Sequence, residues 1–270
     1  METLPLILEP EQLEPLLGSS ELLIVDFSQQ ESFLSAHVPG AVYVDFKRLL
    51  AGTPPAPGGL PSIEQLTALC SEIGLTPNKH VITYDDEGGG WAGRFIWTLD
   101  VIGHSKASYL NGGIHAWAKE GHPVSQEAEI ATATNYQIKQ LNQAVIADKA
   151  YIIKRHLEED CIIWDARSAL EYTGQKVFAE KGGHIPGAIN FEWTAGMDSE
   201  HNLRIKTDIA ETLDQLGITE DKEIITHCQT HHRSGFTYLV AKSLGYSRVK
   251  AYPGSWYEWG NSPDTPVECP

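Results

Sequence analysis

The stretch Glu223-Ile-Ile-Thr-His-Cys228-Gln-Thr-His-His-Arg233-Ser-Gly235 decides the architecture. Residues 223–226 (EIIT) are β-branched and largely apolar, which reads as a buried strand. Residues 236–244 (FTYLVAKSL) then read as a helix, closed by Gly245. Between them lies a short loop that begins with a cysteine and ends with an arginine. Strand, loop and helix in this order point to the α/β class, in which ligand sites lie outside the carboxyl ends of parallel strands.

Moving outward from this stretch, the chain repeats itself. Residues 23–26 (LIVD) resemble 162–165 (IIWD), and His37-Val-Pro-Gly-Ala41 resembles His184-Ile-Pro-Gly-Ala188. Residues 81–84 (VITY) resemble 224–227 (IITH), and Gly93 and Gly235 are each followed ten residues later by Gly103 and Gly245. Asn111-Gly-Gly-Ile-His-Ala-Trp117 resembles Pro253-Gly-Ser-Trp-Tyr-Glu-Trp259. Five blocks in the same order imply a duplicated domain. Within the copies, 22–26, 81–84, 161–164 and 223–226 are predicted strands, and 95–102 and 236–244 predicted helices. The expected fold is two duplicated α/β domains, each a mostly parallel sheet flanked by helices. The polar stretch 125–143 (SQEAEIATATNYQIKQLNQ) is the linker, which places the domains at 1–124 and 144–270. The proline- and glycine-rich segment 51–61 (AGTPPAPGGLP) reads as a surface loop.

The 270 residues are 41% hydrophobic and 21% charged, a composition that builds a packed core. No stretch approaches the roughly 20 apolar residues of a membrane span, and the first ten residues lack the pattern of a secretory signal. A cytoplasmic monomer is expected. The formal net charge of −16 argues against nucleic acid or anionic membrane as partners. An anionic substrate therefore requires a locally basic site.

Four cysteines, Cys70, Cys161, Cys228 and Cys269, lie far apart and form no C-x-x-C pair. Cys161 falls in an apolar strand, Cys70 in a predicted helix over 62–73, and Cys269 in the tail. Only Cys228 starts a loop that feeds a helix. There, inward-pointing N–H groups and the helix dipole favour the thiolate, the nucleophilic form. Arg233, His231 and His232 make the loop basic. C-x4-R spans six residues, a ring suited to one sulfur atom and a small anion. Cysteine-dependent phosphatases, with C-x5-R, need one residue more. The histidines crowd into one turn without a second cluster, so no metal is expected. His231 and His232 are read as shaping the loop and adding charge as pH falls.

The His-[Val/Ile]-Pro-Gly-Ala blocks, the six-residue Cys228 loop and the glycine–tryptophan blocks together resemble tandem rhodaneses. The loop Cys228-Gln-Thr-His-His-Arg233 and the run Asp85-Asp-Glu-Gly-Gly-Gly-Trp-Ala-Gly93 resemble the Azotobacter-type bacterial form. The resemblance implies a cofactor-free thiosulfate:cyanide sulfurtransferase that works through a Cys228 persulfide. Its partners would be thiosulfate as donor, and cyanide, a thiol or a sulfur-accepting protein as acceptor. It also implies that Arg167, just past the strand at 161–164, binds substrate, with Arg233, Gln229, Thr230, His231 and His232 around the anion. Trp193 and Trp256 are candidates for the pocket wall, whereas Trp259, matched by Trp117, is expected in the core.

In the first copy, Asp85 stands where Cys228 stands in the second, so that half is expected to be catalytically silent. Asp85, Asp86 and Glu87 read as a solvated acidic turn rather than a metal site. Competing functions are 3-mercaptopyruvate sulfurtransferase, a cysteine phosphatase or arsenate reductase, and a non-catalytic sulfur-binding module.

Overall fold

A computed structural model describes residues 4–269. Its strands are β1 (Ile7–Leu8), β2 (Leu22–Asp26), β3 (Ala41–Tyr43), β4 (His80–Tyr84), β5 (Ala107–Leu110), β6 (Cys161–Asp165), β7 (Ile189–Asn190), β8 (Met197–Asp198), β9 (Arg204–Ile205), β10 (Glu223–His227) and β11 (Val249–Ala251). The strands predicted from the sequence coincide with β2, β4, β6 and β10, each buried along its full length. Burial on both faces explains their unbroken apolar character.

The chain divides into two compact units. The first holds a parallel sheet in the order β1-β5-β4-β2-β3. Its core gathers Ile24, Phe33, Val38, Ile82, Tyr84, Leu110 and Trp117. The second holds a parallel sheet in the order β11-β10-β6-β7, over a core that includes Ile163, Ile185, Ile225, Tyr252, Trp256 and Trp259. In this second sheet the chain leaves β6 toward β7 on one side and returns as β10 on the other. The order in which strands are added thus reverses between the parallel neighbours β6 and β10, and the crevice at their carboxyl ends is where α/β sheets place ligands. The register sets His227 opposite Asp165 at that point.

The duplication persists in detail. His37 Nδ1 lies 2.7 Å from the Phe33 carbonyl and its ring stacks on Phe33, while His184 Nδ1 lies 2.8 Å from the Tyr172 carbonyl and stacks on Tyr172. Trp117 Nε1 donates to the Pro123 carbonyl and Trp259 Nε1 to that of Pro266. Both tryptophans are fully buried, as expected for Trp259. The Pro-Gly histidines are thus pinned side chains of the frame in both copies.

Two segments depart from a simple split at the linker. The first unit comprises the chain up to Leu49, Pro61–Leu141 and also Met197–Ile205; the second takes Leu50–Leu60 along with Asn142–Gly196 and Lys206 onward. In the first unit, Arg204 of β9 donates to Glu9 and, through both terminal nitrogens, to Glu120, and the Ile205 amide donates to Asn111 Oδ1. In the second unit, the segment read as a surface loop instead packs on the Cys228 loop. Gly58 is buried, and a Cβ there would meet the Pro253 carbonyl oxygen at 2.8 Å and the Thr230 carbonyl oxygen at still shorter range. The glycine is required because backbone meets backbone with no room for a methyl group.

Gly58→Ala is therefore expected to destabilise the protein by about 1–3 kcal/mol through overpacking. Thr53→Ala, exposed in the same segment, should leave the melting temperature unchanged. Thermal unfolding followed by circular dichroism compares the two.

Candidate active site

β10 ends at His227, and the helix Arg233–Ser243 begins five residues beyond Cys228. The intervening loop turns sharply at His231, which has φ 56°. Such a left-handed conformation costs a bulky residue about 1–2 kcal/mol. From the other side, the helix Ser255–Asn261 holds the loop: the Trp256 amide donates to the Cys228 carbonyl at 2.9 Å and the Tyr257 amide to the Gln229 carbonyl at 3.0 Å. With its carbonyls turned to that helix and its ends fixed by β10 and the next helix, the loop keeps a set shape.

Cys228 is 1% exposed. Burial alone would push its thiol up. Instead the charge of Arg233, hydrogen bonds from the Ser234 hydroxyl and backbone N–H, and the charge of His232 bring it down to about 7. Cys70 and Cys161, where burial dominates, are pushed up to about 12. The reactive sulfur is thereby separated from the two core thiols by its surroundings, as the loop position predicted.

Beneath the loop sits a buried polar group. Asp165, fully buried at the end of β6, accepts from the Nε and Nη2 atoms of Arg167 at 2.5–3.0 Å. Burial opposes ionisation of Asp165, but His227 and Arg167 outweigh it and hold the carboxyl below its usual range. Burial pushes His227 down to about 4, so it is neutral near pH 7. Arg167 also donates to the Gly183 carbonyl at 2.8 Å and its guanidinium lies 4.2 Å from the centroid of the Trp256 ring.

This placement corrects two expectations. Arg167 is 1% exposed, and its fork is directed at Asp165 and Gly183 rather than toward an entering anion. Trp256, also 1% exposed, packs in the core under that guanidinium and does not wall an open pocket. In each case the pull of a buried carboxylate decides the geometry, a feature invisible in the spacing of Arg167 from its strand.

The remaining residues surround the sulfur unequally. Arg233 is 20% exposed in its side chain and pairs with Glu171 through both terminal nitrogens, at 2.7 and 2.9 Å. Burial raises the Glu171 carboxyl, but Arg233 and Ser168 overcome it and hold it at about 2. Gln229 directs its amide nitrogen to the Phe178 carbonyl at 3.3 Å, and Thr230 lies against Gly58. His232 is half-buried with its ring edge toward Trp193, 5.4 Å between centroids, so Trp193 flanks the loop. His231 is buried, with Nδ1 2.7 Å from the Ser234 hydroxyl. Glu171, Ser234, Asp165 and Gly58 were given no role by the sequence reading. The Ser168-x-x-Glu171 pattern, which forms a capping box, was the available signal for Glu171.

In the first unit the equivalent loop is filled from within. Asp85 is fully buried and accepts the amides of Glu87, Gly89 and Ala92 at 2.8–3.1 Å. Burial, aided by Glu87, pushes its carboxyl up to about 6. Asp85 is thus a buried internal anion and not part of a solvated acidic turn. Among the described residues, no group of three His, Cys, Asp or Glu side chains is arranged to hold a metal ion.

Residues 9–120 and 149–262 each match the Rhodanese-like domain family. The chain belongs to the rhodanese family. It is 56% identical to the thiosulfate sulfurtransferase of Azotobacter vinelandii, over 98% of each chain. It is also 56% identical to the thiosulfate sulfurtransferase of Pseudomonas aeruginosa, over 98% of this chain and 97% of that one. Among solved structures, the anaerobic ergothioneine biosynthesis enzyme from Chlorobium limicola superposes with a TM-score of 0.87 at 22% identity, covering 99% of this chain and 71% of that one. At that identity the likeness concerns the fold.

The rate of Cys228 alkylation by iodoacetamide should rise with pH through a midpoint near 7, because the thiolate is the reacting form. In Arg233→Ala the desolvation of the buried sulfur loses its main counterweight, and the midpoint should move up by roughly one to three pH units. Mass spectrometry of the Cys228 peptide across pH checks both.

Proposed function

We propose that this rhodanese transfers the sulfane sulfur of thiosulfate to cyanide or to a thiol acceptor through a Cys228 persulfide. The observation that carries the reading is a thiol acidified to about 7 beside Arg233, at the crevice where the strand order switches, in a protein whose net charge is −16. The site supplies the local positive charge that an anionic donor requires. The names of the two relatives at 56% identity give the same substrate.

In the first step the Cys228 thiolate attacks the outer sulfur of thiosulfate. The S–S bond of the donor breaks, sulfite departs with the bonding pair, and a perthiolate remains on Cys228. In the second step the carbon of cyanide attacks the outer sulfur. A C–S bond forms, the protein S–S bond breaks, thiocyanate leaves, and the thiolate returns. No external oxidant or reductant enters. Arg233, whose terminal nitrogens pair with Glu171, offsets charge on departing sulfite through its field at Cys228, while the N–H and hydroxyl of Ser234 stabilise sulfur anion in both states. Arg167 supports the loop from below through Asp165 and Trp256, Trp193 borders the entrance, Gln229, Thr230 and His232 shape the rim, and the buried His231 holds the loop from inside. The first unit, with Asp85 in place of the cysteine, cannot hold a persulfide and acts as a structural copy.

We place the enzyme in the cytoplasm as a monomer; among the described residues no helix is long and apolar enough to cross a membrane. Intact mass spectrometry after incubation with thiosulfate should show a gain of one sulfur atom. The gain should be absent in Cys228→Ala and removed by cyanide with release of thiocyanate. Steady-state double-reciprocal plots should be parallel. Loading by 3-mercaptopyruvate alone would reassign the donor, and loading by neither would reduce the protein to a binding module.

A further inference from the structure

We propose that His231 is a positioning residue for sulfur transfer, fixing the Ser234 hydroxyl so that its hydrogen points at Cys228 Sγ. A serine hydroxyl carries one hydrogen and two lone pairs and rotates freely unless neighbours choose for it. Here the His231 Nδ1 atom lies 2.7 Å from Ser234 Oγ, and both side chains are fully buried. Bulk solvent does not reach the hydroxyl. When Nδ1 carries the ring proton it occupies a lone pair of Oγ, and the hydroxyl hydrogen is left to the sulfur. The Ser234 backbone N–H points at the same atom, so two donors from one residue converge on it.

The backbone supplies a second, independent observation. His231 holds φ 56°, a conformation comfortable for glycine and tolerable for asparagine, yet the position carries a large ring. A loop that needed only the turn would be served by a smaller residue. The strained placement is what brings the imidazole back onto the first turn of the helix Arg233–Ser243. The charged or titratable groups near the sulfur include Arg233 and His232 from the loop, His227 and Asp165 from the strand ends, and Glu171 through Arg233.

The inference rests on Cys228 as the sulfur carrier, but its test does not depend on which donor the enzyme uses. The pH dependence of iodoacetamide alkylation, read on the Cys228 peptide, is compared for the wild type, His231→Gly, His231→Asn, Ser234→Ala and the His231→Gly/Ser234→Ala double variant. His231→Gly relieves the backbone, so any loss it shows belongs to the side chain. The acidity constant of Cys228 should fall roughly three- to tenfold in His231→Gly and in Ser234→Ala. The double variant should lose no more than Ser234→Ala alone, and His231→Asn, which offers an N–H in the same backbone conformation, should recover most of the loss. A His231→Gly titration equal to wild type, or losses that add in the double variant, would overturn the proposal.

Discussion

The Asp165 carboxylate is the point from which the candidate site hangs. It is buried at the end of β6, and a buried charge persists only where partners compensate its lost hydration. Arg167 provides that compensation in a two-pronged pair, then extends it by lying over Trp256. The amide of Trp256 holds the Cys228 carbonyl, so the helix Ser255–Asn261 is attached both to the loop above and to the ion pair below. Removing one partner of such a pair typically costs about 3–5 kcal/mol, because the other charge is left stranded. A residue that resembled a substrate anchor from its position is, in the folded protein, part of the floor.

The two copies show what one frame does with different contents. In the second unit the cradle closes on a sulfur, and Arg233 and Ser234 make the anion favourable there. In the first, the amides of the loop close on Asp85, an anion the chain supplies for itself. The floor changes in step. Asp26, in the block that matches Asp165, has Ser28 two residues on instead of an arginine, and burial raises its carboxyl. The copy thus keeps the architecture, with a carboxylate in place of the cysteine above and a serine in place of the arginine below.

Much of this was legible in the chain. β2, β4, β6 and β10 showed as short apolar runs because strands buried on both faces tolerate little else. Cys228 stood out because strand, cysteine, short loop and helix occur in unbroken succession. What could not be read were the pairings between distant segments. Glu171 lies 62 residues from Arg233, and nothing in either neighbourhood announces the other. The fate of Arg167 was hidden for a different reason: its partner Asp165 is only two residues away, but whether the pair faces inward depends on the depth of β6. The segment around Gly58 looked like ordinary loop composition, since close backbone approach leaves no trace beyond a glycine among glycines.

The reciprocal placement of Leu50–Leu60 and Met197–Ile205 bears on how the protein can be made and divided. As the chain leaves the ribosome, the first unit lacks β8 and β9 until residue 205 has been synthesised, long after its own sheet is complete. The second unit, conversely, needs a piece translated well before its first strand. A gene cut at the linker would yield two fragments, each missing a part encoded in the other. Recombination at the linker would thus carry each half away without a segment that packs in its own unit.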